Sequence, residues 1–178
     1  MSKKEVEKLT LMVEKLLETA TLDSDQLELN TEEVDLNYIL ERITTIDIEL
    51  LHGKTITFLS DEKDCLVSID QFHFENALNN IIDNAIKYGG DFIKVFVNKT
   101  ATEVNISIKD NGKSLTKQQA SQIFEKFYRV PKGNTHNVKG FGIGLFYAKN
   151  IIEKHGGSIS VDINNGVEFL IKLPTKSL

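Results

Sequence analysis

Cysteine, proline and arginine are scarce in this 178-residue chain, and long apolar runs are missing from it. Cys65 is the only cysteine, which excludes an intrachain disulfide framework and a Cys-rich zinc site. A reducing compartment is the natural home of such a composition. Only Pro131 and Pro174 interrupt the backbone's hydrogen-bonding capacity, so long stretches stay open to helices and strands. No segment is long and apolar enough to span a membrane, and no signal-peptide pattern opens the sequence. The net charge of -5 lacks the basic surplus of a general nucleic-acid binder, so no nucleic-acid partner is expected. What remains, 40% hydrophobic and 26% charged, suits one globular domain with an appendage.

Leu9, Met12, Val13, Leu16, Leu17 and Ala20 predict an amphipathic helix over 5–20. At a terminus, such a helix wants a partner for its apolar face. Asp23, Ser24 and Asp25 break the pattern, and 27–30 alternate as a short strand. Asp35 is placed to cap a helix through Leu36, Ile39, Leu40, Ile43 and Ile46 that ends near His52-Gly53. Residues 55–59 and 65–69 read as strands around an acidic turn, and Asp70 caps a helix that stops at Gly89-Gly90. Residues 92–98 and 104–109 alternate as strands. A short helix over 116–127 would turn Ile123, Phe124 and Phe127 inward, and the polar segment 128–139 reads as a mobile loop. Gly140 opens a helix that Gly156-Gly157 stops, and an Asn-Gly turn joins the last strands, 158–163 and 167–173. This order predicts an α+β fold: a two-layer sandwich with helices on one face of a mixed sheet, preceded by the amphipathic helix.

The helix 71–88 is the most informative stretch. Residues four apart share a face, so Asn76, Asn80, Asn84 and Tyr88 form one row, with Lys87 three beyond Asn84. Phe74, Leu78, Ile81, Ile82, Ala85 and Ile86 form the apolar stripe. Asparagine costs up to about 0.7 kcal/mol per helical position relative to alanine. Two readings are open at this point. The amides are bonded to backbone beneath another layer, or they meet a ligand. Amide oxygens suit a hard cation such as Mg²⁺, a lysine suits a phosphate, and a tyrosine offers a flat face to a base. Further along, Lys139-Gly140-Phe141-Gly142-Ile143-Gly144-Leu145 would bring backbone and a helix N-terminus close to a polyanion. A dinucleotide fold is disfavoured, because no first strand of a βαβ unit precedes it. Asp110-Asn111-Gly112 ends a strand, either as a plain turn or with Asp110 accepting from an exocyclic amine. Arg129, after two aromatics, is a planar fork at the mouth of the mobile loop.

In order and spacing these elements resemble the catalytic and ATP-binding domain of bacterial sensor histidine kinases. That family shares a Bergerat-type superfamily with DNA gyrase, the heat-shock chaperone ATPase and mismatch-repair ATPases. The asparagine helix resembles its N box, Asp110-Asn111-Gly112 its first glycine box, and 123–129 its F box. Gly140 to Gly144 resembles the second glycine box, and Gly166-Val167-Glu168-Phe169 the closing one. The resemblance implies that Asn84 ligates Mg²⁺, with Asn80 beside it near the phosphates. It implies that Lys87 contacts phosphate, Tyr88 borders the nucleotide and Asp110 reads the adenine amine. Gly112 and the segment Lys139, Gly140, Phe141, Gly142, Ile143, Gly144 and Leu145 would bracket ATP. Arg129 would lie near the γ-phosphate and 128–139 would form the lid. Catalysis would rest on Asn80, Lys87 and Arg129.

Two departures qualify the implied function. Ser114 stands where the family usually has a second glycine, which predicts altered affinity rather than loss of binding. None of His52, His73, His136 and His155 has the context of the family's acceptor histidine. Residues 1–23 resemble the second helix of the dimerisation and phosphotransfer hairpin, and 24–178 the catalytic domain. The acceptor helix is absent, so the chain reads either as a piece of a longer receptor or as a truncated protein acting in trans. The implied partners are ATP or ADP, the receptor's own acceptor helix, a response regulator and, in the full-length protein, a second copy. The implied location is the cytoplasmic part of a membrane-bound sensor. The family's hydrolases place a glutamate where this chain has Asn80, so transfer is expected over hydrolysis. A non-catalytic ATP/ADP-sensing module and a kinase acting in trans on serine or threonine are the alternatives.

Overall fold

The computed structural model describes residues 27–46, 49–113, 115–131 and 141–175, with residues 6, 10, 13 and 20. Val6, Thr10, Val13 and Ala20 are helical and exposed, and the rest of the predicted first helix lies outside the described residues. So does the expected boundary between 23 and 24.

Two sheets form. β1 (Glu32–Asp35) pairs antiparallel with β3 (Leu66–Ile69). The larger sheet contains β2 (Thr55–Ser60), β4 (Phe92–Lys99), β5 (Glu103–Asp110), β6 (Ser158–Asp162) and β7 (Val167–Pro174). Its strand order is β2-β4-β5-β7-β6, parallel only between β2 and β4, so it is mixed as expected. The helices are α1 (Leu36–Thr44), α2 (Gln71–Tyr88), the single-turn α3 (Lys117–Ala120) and α4 (Gly144–Lys154).

Alternation within the strands decides which face is covered. Ile93, Val95 and Val97 of β4 share a buried layer with Val104, Ile106 and Ile108 of β5 and Val167, Phe169 and Ile171 of β7. The opposite face carries Lys94, Asn105, Ser107, Lys109, Glu168 and Lys172, with Ser107 and Lys109 both bonded to Glu168. Onto the apolar layer pack Leu36, Ile39 and Leu40 of α1, Tyr147, Ala148, Ile151 and Ile152 of α4, and the whole stripe of α2.

Several boundaries differ from the sequence reading. Residues 27–30 are irregular, and the strand lies at 32–35. Helix α1 stops at Thr44 rather than near His52, because Thr44 and Thr45 turn their hydroxyls back onto Leu40 and Glu41 carbonyls. Strands β2 and β3 flank the acidic turn but join different sheets. Helix α3 is one turn long instead of spanning 116–127, held by a capping box between Thr116 and Gln119. Helix α4 begins at Gly144, four residues later than expected.

One polar node ties the start of α2 to the end of α4. The Asp70 carboxylate accepts from the His73 amide at 3.1 Å and from the Asn30 amide at 2.9 Å. The Asp70 amide donates to His155 Nε2 at 2.9 Å, so the ring proton sits on Nδ1 and reaches the Ile151 carbonyl at 2.7 Å. Burial works to raise the Asp70 carboxyl, but the His73 and Asn30 amides outweigh it and hold it below the ordinary value. Burial lowers the His155 imidazole, against the Ile151 carbonyl and the Asp70 charge. Folded His155 therefore binds a proton less readily than the unfolded chain. Its contribution to stability is complete above the ordinary value of 6.5 and is lost as pH falls through the lowered folded value. Denaturant titrations above and below that pH should show the decline, and His155→Ala should flatten it. At neutral pH that substitution strands the Asp70 amide and should cost about 1–3 kcal/mol.

Candidate functional site: the rim of α2, the β5 end and the start of α4

With its apolar stripe buried, α2 has no rotational freedom left, and Asn76, Asn80, Asn84 and Tyr88 emerge half-buried along its other side. Asn80 Nδ2 donates to the Asn76 carbonyl at 2.9 Å, which directs Oδ1 away from its own helix. Gly144 sits directly against it: a Cβ at Gly144 would stand 2.7 Å from Asn80 Oδ1. The first turn of α4 therefore meets the asparagine row only because residue 144 has no side chain. No side chain caps α4, so its leading N–H groups remain for a ligand. The Asn84 amide has no hydrogen-bond partner among the described residues. An unengaged amide beside Asn80 Oδ1 fits an oxygen-seeking cation such as Mg²⁺.

Asp110, the last residue of β5, is 3% exposed. Its Oδ1 accepts from the Gly90 amide at 2.9 Å and the Gly112 amide at 2.7 Å. Oδ2 makes no hydrogen bond among the described residues, so one lone-pair face stays available. Gly112 is pressed between partners: a Cβ there would lie 2.6 Å from Gly90 N and 2.7 Å from Asp110 Oδ1. Asn111 Oδ1 accepts from the Phe92 amide, which fixes this turn to the edge of β4.

The remaining predicted residues fall in three groups. Phe141 and Leu145 are half-buried and Ile143 is buried, lining the approach to α4. Gly142 takes φ +70° and its carbonyl accepts from the Phe127 amide at 2.9 Å, joining the F-box segment to the second glycine segment. Lys87 lies on a neighbouring stripe, exposed and paired with Asp83 at 3.0 Å. An exposed i,i+4 pair contributes only about 0.3–0.5 kcal/mol, so the ammonium is readily recruited elsewhere. Arg129 is exposed on the irregular segment after Tyr128. Lys139, Gly140 and Ser114 lie outside the described residues, as does the 132–139 part of the expected lid.

The rim thus consists of amide oxygens, an uncapped helix start and one half-engaged buried carboxylate. Residues 69–177 match the family described as histidine kinase-, DNA gyrase B-, and HSP90-like ATPase. This chain belongs to that ATPase family. It is 36% identical over 179 residues to sensor protein RprX of Bacteroides fragilis, an alignment covering 96% of this chain and 34% of RprX. It is 34% identical over 176 residues to sensor protein SrrB of Staphylococcus aureus, covering 96% of this chain and 30% of SrrB. The chain thus spans about a third of the length of these curated relatives. Among solved structures it resembles the catalytic domain of histidine kinase ThkA, with 26% identity and a TM-score of 0.71. That match covers 83% of this chain and 99% of the other.

Two features of this ATPase domain differ from, or escaped, the sequence reading. Phe127, expected inward, is 52% exposed at φ +66°. Its amide is committed to Gly142, and the backbone conformation that allows this turns the ring outward, beneath Lys126 Nζ at 5.5 Å. Phe124 instead packs, partly buried, against the core, edge-on to Phe169. Lys54 went unnoticed: its Nζ lies 2.7 Å from the Gly89 carbonyl and 3.4 Å from that of Ala85, at the negative end of α2. The signal was not local. It needed the parallel register that sets Thr55 beside Phe92.

The two phenylalanines should separate in denaturant titrations. Phe127→Gly relieves a conformation that costs a bulky residue about 1–3 kcal/mol, offsetting the flexibility it adds, and should leave stability nearly unchanged. Phe124→Ala should cost about 3 kcal/mol.

Proposed function

We propose that this chain is the Mg-ATP-binding catalytic domain of a sensor histidine kinase in two-component signalling. It would pass the γ-phosphoryl of ATP to a histidine on a dimerisation helix that its sequence does not contain. The observation that carries this reading is the convergence of Asn80 with the uncapped start of α4, at one rim with the half-engaged Asp110. Asp110 Oδ2 would accept the adenine amine, a contact unavailable from the guanine carbonyl. The first amides of α4 would face the phosphates, and Lys87 and Arg129 would add charge to the transferring group. Bound Mg²⁺ would supply charge neutralisation, with Asn84 as its protein-side oxygen and Asn80 beside it near the phosphates.

Two observations favour transfer over hydrolysis. Asn80 cannot take a proton from water at neutral pH. The acids on either side of it in sequence are engaged elsewhere: Asp83 pairs with Lys87 at 3.0 Å, and Glu75 is held by Arg42 and by Gln71 Nε2 at 2.7 Å. Acceptance by His73 or His155 is disfavoured as well. His73 is bonded to Tyr147 and His155 uses both ring nitrogens. The relatives' description as sensor proteins supports a signalling role. On the same proposal the partners would be a response regulator and a second receptor copy, with the domain on the cytoplasmic side.

Incubation with γ-labelled ATP and an acceptor hairpin in trans should place acid-labile label on the hairpin and none on this chain. Nucleotide binding with no transfer to any hairpin would sink the kinase reading in favour of a sensing module. Acid-stable label on a partner protein would point to a serine or threonine kinase. Asp110→Asn should weaken ATP by about 1.5–3 kcal/mol, roughly ten- to a hundredfold in Kd, with GTP affected far less. Asn84→Ala should abolish the difference in ATP affinity between Mg²⁺ and chelator, as read by calorimetry.

A further inference from the structure

The chain contains two Asn-Gly dipeptides, Asn111-Gly112 and Asn165-Gly166, and both touch Asp110. Asn-Gly is the sequence in which a backbone amide most easily attacks the preceding carboxamide, because glycine has no side chain to hinder it. The two copies differ in what restrains them. The Gly112 amide, the attacking group, donates to the Asp110 carboxylate at 2.7 Å, and Asn111 Oδ1 accepts from Phe92. Asn165 is exposed, and its carboxamide meets no hydrogen-bond partner among the described residues. No side chain bonds the Gly166 amide. Among the described residues of this turn only Gly166 takes positive φ, +99°, so Asn165 has ordinary backbone geometry and an exposed side chain.

We propose that Asn165 is a site of spontaneous deamidation and isoaspartate formation that acts on the nucleotide site, while Asn111 is protected. Gly166 N–H gives its proton to hydroxide, and the nitrogen attacks Asn165 Cγ. Ammonia leaves and a succinimide closes. Water then opens the ring at Cγ to give aspartate, or at the backbone carbonyl to give isoaspartate. The net change is one water taken up and one ammonia released.

The consequence follows from packing. A Cβ on Gly166 would overlap the Asp110 carbonyl oxygen, and it would reach within 3.3 Å of Asn111 Cα. Isoaspartate inserts the Asn165 Cβ methylene into the backbone, three bonds before the Gly166 Cα that makes this contact. The turn cannot keep both its strand register and its fit against Asp110, so the end of β5 shifts. The effect on nucleotide binding rests on the role given to Asp110 above. The modification itself does not.

The test is to age the intact chain at mildly alkaline pH, then map peptides by mass and label isoaspartate with the repair methyltransferase. Asn165 should convert about tenfold or more faster than Asn111, the factor that one retained charge-assisted hydrogen bond supplies in a rate. ATP affinity should fall in step with conversion, and aged Asn165→Ser protein should keep its affinity. Equal conversion at the two sites, or conversion at Asn111 alone, overturns the assignment. Unchanged affinity in fully converted protein overturns the coupling. Site selectivity is read by mass alone, so fresh protein that never binds nucleotide would count against the kinase reading and leave the modification standing.

Discussion

The burial of one face of α2 is the constraint on which the rest of the domain depends. Seven residues of that helix, from Phe74 to Ile86, are almost completely removed from water. Turning the helix to hide its asparagines would expose this stripe, at roughly 1.5–3 kcal/mol for each large side chain. The penalty for an outward asparagine is smaller by several-fold. The amide row is therefore presented at the surface by the core. Asp70 fixes where the helix starts, and Lys54 binds the carbonyls where it ends.

The second constraint is proximity. Gly144 against Asn80, Gly112 against Gly90, and Gly166 against Asp110 are three places where backbone occupies the space of a side chain. Together they draw the end of β5, the end of α2, the start of α4 and the last hairpin into one rim. Hydrogen bonding then holds what the glycines admit. The Asp110 carboxylate spends one oxygen on the two loops beside it, and its other oxygen makes no hydrogen bond among the described residues.

Period and capping made α2, α4 and the five strands of the main sheet legible, because burial of an apolar face imposes those periods. The family's boxes pointed to Asn80, Asn84, Asp110 and Gly144 together, and the structure places Gly144 against Asn80. Local chemistry of a longer range was not. The Thr44 and Thr45 back-bonds end α1 early without any glycine to announce it. The inward aromatic of the F box is Phe124 and not Phe127, since a bond to Gly142 across the chain reverses the expected direction. Lys54 became meaningful only when parallel pairing set β2 beside β4.

The neutrality of the row is the feature with the most chemical content. A carboxylate at position 80 would hold a metal more tightly and could also deprotonate water, and phosphate would then be lost to solvent. An amide coordinates without acting as a base. Glu75, one turn away, could have restored that capacity, yet it is held by Arg42 and Gln71 on a different stripe. On the proposed reading, with Glu75 and Asp83 both engaged by other side chains, the barrier to phosphoryl transfer would be lowered by positioning and charge neutralisation. Of the described histidines, His73 is bonded to Tyr147 and half-buried His155 has both ring nitrogens occupied. On the proposed reading, a neutral amide row suits a domain that holds the phosphate donor while a separate segment receives the phosphoryl group.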